Sequence, residues 1–408
     1  MPRILRIINR FNLGGPTHNA AYLTKHLPGD YETLLVGGQW DESEEGSKHI
    51  LDAIGVEPLI LPEMRRDIAP WRDRTAYRRV KQLIKDFKPD IVHTHAAKAG
   101  AVGRMAASEM GVKVIVHTFH GHVFHSYFGQ LRTAMYKNIE RFLAKRSTRI
   151  VAISERQKME LVDEHRICAE NKVSVIPLGF DLSKFQQDLE NKRKLFRRVY
   201  GVADDEIALG IVGRLVPVKN HGLFLQSVKL LSERTGKKVR AFIVGDGEER
   251  ERLEQLTRDL GLSMAAGPFF NGHGFGHGAN GKPCVANAQV TFTSWIKEVD
   301  VVNAGLDIVA LTSNNEGTPV TLIEAQAANK PVVSTNVGGI ENVILSGRTG
   351  LLSPPGDAVR LTDNLFQVVE DEALRARLGA GGWEHVRDRY HYSRLVADTD
   401  RMYRELLG

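Results

Sequence analysis

Residues 307–324 read DIVALTSNNEGTPVTLIE. After Asp307, the run Ile308-Val309-Ala310-Leu311 is apolar on both faces, as a strand buried in a parallel sheet must be. A polar loop follows. Then Thr318 suits the N-cap of a helix and Pro319 its first position. Strand, loop and helix in such short compass are one half of a parallel βαβ unit.

The same alternation extends outward from this stretch. Val- and Ile-rich runs occur at residues 4–8, 33–36, 58–61, 90–93, 113–117, 150–153 and 173–176, then at 208–212, 241–244 and 290–293. Two more follow at 331–334 and 350–352. Helical patterns separate them, such as Tyr77, Val80, Leu83, Ile84 and Phe87 on one face. The expected fold is α/β, with two doubly wound domains. Residues 1–182 form the first and 183–390 the second, with the charged stretch inside 182–202 read as the seam. Residues 391–408 read as a separate helix with Leu395, Met402, Tyr403 and Leu406 for packing.

Composition narrows the function classes. The chain has 408 residues, 42% hydrophobic and 25% charged, which excludes a disordered, collagenous or coiled-coil protein. Net charge is +6 and the pI is near 9.2, a mild excess that suits anionic ligands but is too weak to argue for nucleic acid. Two cysteines, Cys168 and Cys284, cannot build a disulfide framework or a four-thiolate zinc site, and they fit a reducing cytoplasm. Residues 1–8 are too charged for a secretory signal, and no run reaches the roughly 18 apolar residues of a membrane span. Any membrane role is expected to be peripheral.

The chemistry gathers where strands end. Glu316 precedes the helix of the opening stretch and Glu324 lies inside it, either facing the crevice where open α/β sheets bind ligands or simply solvated. Gly213-Arg214-Leu215-Val216-Pro217-Val218-Lys219 follows the run at 208–212 and puts two cations five residues apart. Such cations neutralise a diphosphate, the arginine by forked hydrogen bonds and the lysine as a point charge. Gly245, Gly247, Gly338 and Gly339 read as places where backbone approaches a ligand. His93, His95, His117, His120 and His122 stand at two consecutive strand ends, so a metal cluster is conceivable. Asp398-Thr399-Asp400 falls on the terminal helix and reads as solvated surface.

These elements, in order, resemble the retaining family 4 glycosyltransferases of the GT-B fold. The resemblance rests on Glu316 and Glu324 with seven residues between them, GRL with its lysine, VGDGEER, FTSW, PVVSTNVGGIENVI, and in the first half Gly14-Gly15, DIVHTHAAKAG, HTFHGHVF and IPLGFD. It implies two Rossmann-like domains facing across a cleft, with the terminal helix returning to the first. It also implies transfer of a sugar from a nucleotide-sugar donor, most commonly a UDP-sugar, to a saccharide or lipid-linked acceptor in cell-envelope or polysaccharide biosynthesis. Under it Arg214 and Lys219 hold the pyrophosphate, Glu324 the ribose and Glu316 the transferred sugar. Backbone of Gly317, Thr318, Pro319 and Val320 supports sugar and phosphate, and the base sits near Gly245, Gly247, Thr293 and Ser294. Gly14 and Gly15 touch the phosphate, and His120 reaches the reacting sugar. No cofactor or metal is expected. A sugar-nucleotide epimerase of the same fold and a non-catalytic sugar-nucleotide-binding protein are the alternatives, and a nicotinamide dehydrogenase lacks its glycine fingerprint.

Two further segments stand out. Residues 130–149 carry Arg132, Lys137, Arg141, Lys145, Arg146 and Arg149 against Glu140 alone, around an apolar stripe of Leu131, Met135, Ile139, Phe142 and Leu143. A basic amphipathic helix of this kind either turns its stripe to the core or lies on an anionic membrane. Residues 267–281, GPFFNGHGFGHGANG, hold six glycines with His273 and His277, and read as a surface loop outside the donor chemistry.

Overall fold

The Val- and Ile-rich runs form two sheets in the computed structural model, which describes residues 1–11, 14–39, 48–65, 69–121, 130–266 and 288–408. The chain divides into one unit of Met1–Phe180 with Arg389–Gly408 and a second of Asp181–Asp388. In the first unit the strands are β1 (Arg3–Arg10), β2 (Glu32–Gly38), β3 (Leu59–Ile60), β4 (Ile91–His95), β5 (Val114–Phe119), β6 (Arg149–Ala152) and β7 (Val173–Val175). Their order is β3-β2-β1-β4-β5-β6-β7, and every pairing is parallel. In the second unit they are β8 (Ile207–Val212), β9 (Val239–Val244), β10 (Met264–Ala266), β11 (Val290–Ser294), β12 (Ile308–Leu311), β13 (Val332–Thr335) and β14 (Gly350–Ser353). Their order is β10-β11-β9-β8-β12-β13-β14, again all parallel.

Helices close both faces of each sheet. In the second unit Leu225 and Val228 of helix His221–Ser232 and Leu361, Leu365 and Val368 of helix Ala358–Glu370 share one core with Leu209, Ile211 and Ile243. In the first unit Val80 and Ile84 of helix Pro70–Phe87 pack with Leu5, Val36 and Val92, as their spacing predicts. The terminal helix Tyr392–Leu407 belongs to this unit and sets Leu395, Val396, Met402 and Tyr403 against Ile4, Ile91 and Val116. Arg394 fixes its start by donating to the carbonyls of Pro177 and Leu178, both at 2.7 Å. Among the described residues no helix is long and apolar enough to cross a membrane.

Four sequence readings change here. The seam read at 182–202 is narrower, because the units divide between Phe180 and Asp181 and helix Leu189–Tyr200 already buries Phe196, Val199 and Tyr200 inside the second unit. Its charges are paired: Lys192 meets Asp300 at 2.9 Å, and Arg193 and Arg197 meet Asp307 at 2.8 and 3.1 Å. The edge strand β10 has no counterpart among the Val- and Ile-rich runs, since Met264-Ala265-Ala266 contains no β-branched residue. Helix Val320–Ala327 starts later than Thr318-Pro319 suggests: Pro319 itself occupies the cap position and no side chain caps it. The acids flanking Thr399 are ion-paired, Asp398 with Arg394 at 3.2 Å and Asp400 with Arg404 at 3.0 Å, and Thr399 is buried.

The joint between helix Leu189–Tyr200 and helix Val299–Gly305 is tight enough to test. A Cβ on Gly305 would sit 2.2 Å from the Phe196 ring. Gly305→Ala is expected to destabilise the second unit by about 1–3 kcal/mol through overpacking. A denaturant titration checks this, and an unchanged midpoint would contradict the packing described.

Candidate functional site

In a wholly parallel sheet all the strands' carboxyl ends share one edge, and a crevice opens where successive connections leave in opposite directions. In the second unit that place is between β8 and β12, which are neighbours although about 100 residues of chain separate them. The loops after these strands are tied together by hydrogen bonds. Thr312 Oγ1 donates to the carbonyls of Lys219 and Asn220 at 3.1 and 3.0 Å, and the Asn314 amide to Val218 at 2.8 Å. This brings Lys219 to Glu316, with Nζ 2.5 Å from Oε1. Ser313 Oγ donates to the same oxygen at 2.5 Å. Glu316 is thus held by a cation and a hydroxyl at the crevice, and Lys219 has an acidic partner that its sequence neighbourhood does not contain.

The loops after β9 and β11 lie alongside. Leu215 donates its amide to the Asp246 carbonyl at 2.9 Å, and Gly245 to that of Ser294 at 3.0 Å. Ser294 takes a positive φ of 64°, a strained setting for a non-glycine residue, and its Oγ donates to Asp246 at 2.6 Å. Thr293 is buried, its hydroxyl donating to the Ser294 carbonyl at 3.0 Å. The glycines serve this loop packing. A Cβ on Gly245, whose φ is 139°, would stand 2.0 Å from the Gly213 carbonyl. One on Gly338, at φ 52°, would meet the Glu316 carbonyl at the same 2.0 Å. At both positions the missing Cβ leaves room for another loop's backbone.

Glu324 lies in the second turn of helix Val320–Ala327, which begins just past Gly317, Thr318 and Pro319 with amides that no side chain caps. Part of Glu324 reaches solvent, yet burial pushes its carboxyl up to about 7, Lys184 opposing and Asp300 adding to the rise. His221, at the start of the helix that follows Lys219, is pushed down to about 4, first by burial and then by the Lys219 charge. Its imidazole is therefore neutral and adds no charge beside the lysine.

In the first unit Gly14 caps helix Gly15–His26 with a φ of 142°. A Cβ on Gly15 would come 2.9 Å from Leu178. His120 directly follows β5, and its Nε2 is 3.0 Å from His95 Nδ1. Behind them the His95 and His93 rings stack at 4.3 Å, and His93 bonds Tyr403 Oη at 2.5 Å and Thr118 Oγ1 at 2.7 Å. Burial lowers all three imidazoles, His120 to about 3, so the row is uncharged near neutrality. His117 is turned to Thr94 instead, at 2.8 Å. Among the described residues no group of three or more His, Cys, Asp or Glu is placed to hold a metal ion. His122, His273 and His277 lie outside the described residues, as does the whole glycine-rich segment 267–281.

The structure therefore groups Lys219, Glu316, Gly317, Thr318 and Pro319 around one crevice, with Gly245, Gly247, Thr293 and Ser294 in the adjoining loops. Arg214 stands in the same β8 loop, and Gly14, Gly15 and His120 belong to the other unit. Sequence reasoning missed Ser313, which bonds Glu316; it named His95 as a possible metal ligand and quoted Asp246 within VGDGEER, without seeing that His95 bonds His120 and Asp246 bonds Ser294. Ser313 had a signal, lying three residues before Glu316 in a polar loop; the partners of Asp246 and His95 are found only in space.

Comparison with known proteins is consistent along the whole chain. The family model described as Glycosyltransferase Family 4 matches residues 13–184, and that described as Glycosyl transferases group 1 matches residues 192–266 and 283–385. The chain is 30% identical over 321 residues to the UDP-Gal:alpha-D-GlcNAc-diphosphoundecaprenol alpha-1,3-galactosyltransferase of Escherichia coli, covering 78% of this chain and 76% of that one. It is 25% identical over 348 residues to the capsular polysaccharide biosynthesis glycosyltransferase CapM of Staphylococcus aureus, covering 84% of each. Among solved structures, Anabaena HepE in complex with UDP matches with a TM-score of 0.76 at 19% identity, over 99% of this chain and 100% of that one. At that identity the likeness speaks for the fold.

Glu324 yields a prediction independent of any ligand. Its carboxyl holds a proton more tightly folded than unfolded, so stability present below its ordinary 4.5 is lost as pH rises through about 7. Glu324→Gln, which cannot ionise, is expected to melt above the wild type at about pH 8, the gap closing as pH falls toward 4.5. Thermal unfolding across pH measures this, and a gap that does not vary with pH would remove the buried-acid account.

Proposed function

Because the chain belongs to glycosyltransferase family 4 and is a glycosyltransferase of the GT-B fold, we propose that it moves a sugar from a UDP-sugar to a saccharide or lipid-linked acceptor with retention of configuration. The observation that carries this reading is the contact between Lys219 and Glu316 at the β8/β12 crevice. It supplies a cation for a diphosphate and a carboxylate for sugar hydroxyls within hydrogen-bond distance of each other. Arg214 joins Lys219 on the diphosphate, and Glu324 accepts from the ribose hydroxyls once it has lost its proton. Amides near Gly317, Thr318, Pro319 and Val320 hold sugar and phosphate, and Gly245, Gly247, Thr293 and Ser294 border the base. Gly14 and Gly15 serve the phosphate and His120 the reacting sugar.

In the step proposed, the bond from the anomeric carbon to the diphosphate oxygen breaks. The acceptor oxygen bonds that carbon on the same face, and its proton passes to the departing phosphate. The negative charge that grows on the diphosphate meets cations already in place, which lowers the barrier without a metal ion being required of this reading. The E. coli relative, named for a diphosphoundecaprenol-linked acceptor, supports a lipid-linked acceptor. The excess of cations along helix Gln130–Arg146 supports peripheral contact with an anionic membrane, at its cytoplasmic face.

Variants separate the roles. Charge-assisted hydrogen bonds contribute about 1.5–3 kcal/mol, so Arg214→Ala and Lys219→Ala should each weaken UDP binding about tenfold or more. Glu316→Gln releases Lys219 from its partner, so UDP affinity should hold or rise while turnover with the UDP-sugar collapses. Calorimetry with UDP and a donor-consumption assay read the two effects. Equal loss of UDP affinity in all three variants would overturn the division, and a new sugar nucleotide formed from donor alone would indicate an epimerase.

A further inference from the structure

Helix Gln130–Arg146 of the first unit turns large apolar side chains to water. Met135, Ile139 and Phe142 are 50%, 41% and 44% exposed, and their steps of four and three residues put them on one stripe. The adjacent Leu143 and Ala144 are buried and give the helix its hold on the unit, so the exposed row is surplus to folding. The row borders a hollow of about 910 Å³ whose other wall is Ala101 and Met105 of helix Ala97–Glu109. Apart from the side chain of Asn138 its lining is apolar.

The charges of this helix divide between an inner and an outer side. Glu140, the acid among its cations, points inward to Arg104 at 2.7 Å, both side chains nearly without exposure. Arg141, Lys145 and Arg146 have no such carboxylate partner among the described residues. Arg141 donates to the carbonyls of His165 and Arg166, and the Arg146 guanidinium lies 3.5 Å over the Phe142 ring. Lys145 is exposed. An apolar patch rimmed by uncompensated positive charge is costly in water and complementary to a layer with anionic head groups over hydrocarbon. A protein partner would need an acidic rim around an apolar knob. A bilayer offers both at once.

We infer that the hollow between helices Ala97–Glu109 and Gln130–Arg146 is the point where the first unit enters an anionic bilayer. Met135, Ile139 and Phe142 sink among the acyl chains, and Lys145 and Arg146 lie on head-group phosphates. This rests on the membrane contact proposed above and specifies its surface and depth.

The full chain is to be sedimented with phosphatidylcholine vesicles with and without phosphatidylglycerol. Wild type binds the anionic vesicles and not the neutral ones. Met135→Ser/Ile139→Ser/Phe142→Ser loses at least roughly tenfold in partitioning, with UDP binding and melting temperature kept. Lys145→Gln/Arg146→Gln loses affinity for anionic vesicles as well. Phe142→Trp is the second readout: in the bound protein, brominated acyl chains quench the emission of the added indole. Wild-type binding that survives the triple serine change, or an indole left unquenched in the bound Phe142→Trp variant, overturns insertion while leaving a purely electrostatic membrane contact standing. Absence of wild-type binding to anionic vesicles overturns the membrane reading itself. Self-association lost in the triple variant, without vesicle binding, assigns the hollow to a second copy instead.

Discussion

Parallel pairing is the constraint from which the rest of this molecule follows. Each pair of neighbouring strands in both sheets runs in the same direction, so the chain must cross back over a sheet face after every strand. The crossovers cover both faces and make the strands apolar on both sides. They also gather every strand-to-helix loop on one edge, and polar residues can concentrate there at no cost to the core. Lys219 and Glu316 meet for this reason. The β8 and β12 strands are adjacent, and their loops are stitched by Thr312 and Asn314 before any ligand arrives.

The two sheets manage buried polarity differently. In the second unit the core is apolar and the charges sit at the edge or in paired clusters such as Arg193 and Arg197 on Asp307. In the first, β4 and β5 carry His93, His95 and His117 fully inside the fold. These imidazoles are tolerable because burial keeps them neutral and because each has a partner: Tyr403 and Thr118 hydroxyls for His93, the Thr94 hydroxyl for His117, and His120 for His95. Tyr403 comes from the terminal helix. The last segment of the chain therefore does more than cover the sheet, since it closes one end of the histidine row whose other end is His120.

The framework was legible because buried parallel strands have a plain signature in Val and Ile, and the exceptions have identifiable causes. Met264-Ala265-Ala266 pairs at the edge beside β11, where backbone hydrogen bonds need little from the side chains. The charged composition of helix Leu189–Tyr200 reads as a seam because its ion pairs are made with residues over 100 positions away. Glycine is ambiguous in sequence: absence of a Cβ admits a ligand or a neighbouring loop equally, and the 2.0 Å approach to the Gly213 carbonyl shows the loop contact at Gly245. Helical period shows that Met135, Ile139 and Phe142 share a stripe with Leu143. It does not show that Leu143 alone of these four is buried, because the position of helix Ala97–Glu109 decides that.

The resting site is compensated in charge, and this has a physical reason. A lysine left bare in a half-buried crevice would be desolvated without recompense. Glu316 supplies the counter-charge and Ser313 holds it in place. Glu324, at about 7, carries only part of a negative charge near neutrality, so it adds little further anionic field for an incoming diphosphate to overcome. Binding the proposed donor then becomes an exchange of partners. In that exchange phosphate would replace Glu316 on Lys219, sugar hydroxyls would replace Lys219 on Glu316, and hydrogen bonds donated by the ribose hydroxyls would favour ionised Glu324, its proton leaving to solvent. Each group leaves one satisfied state for another, so the site can be highly charged when occupied without destabilising the unit when empty.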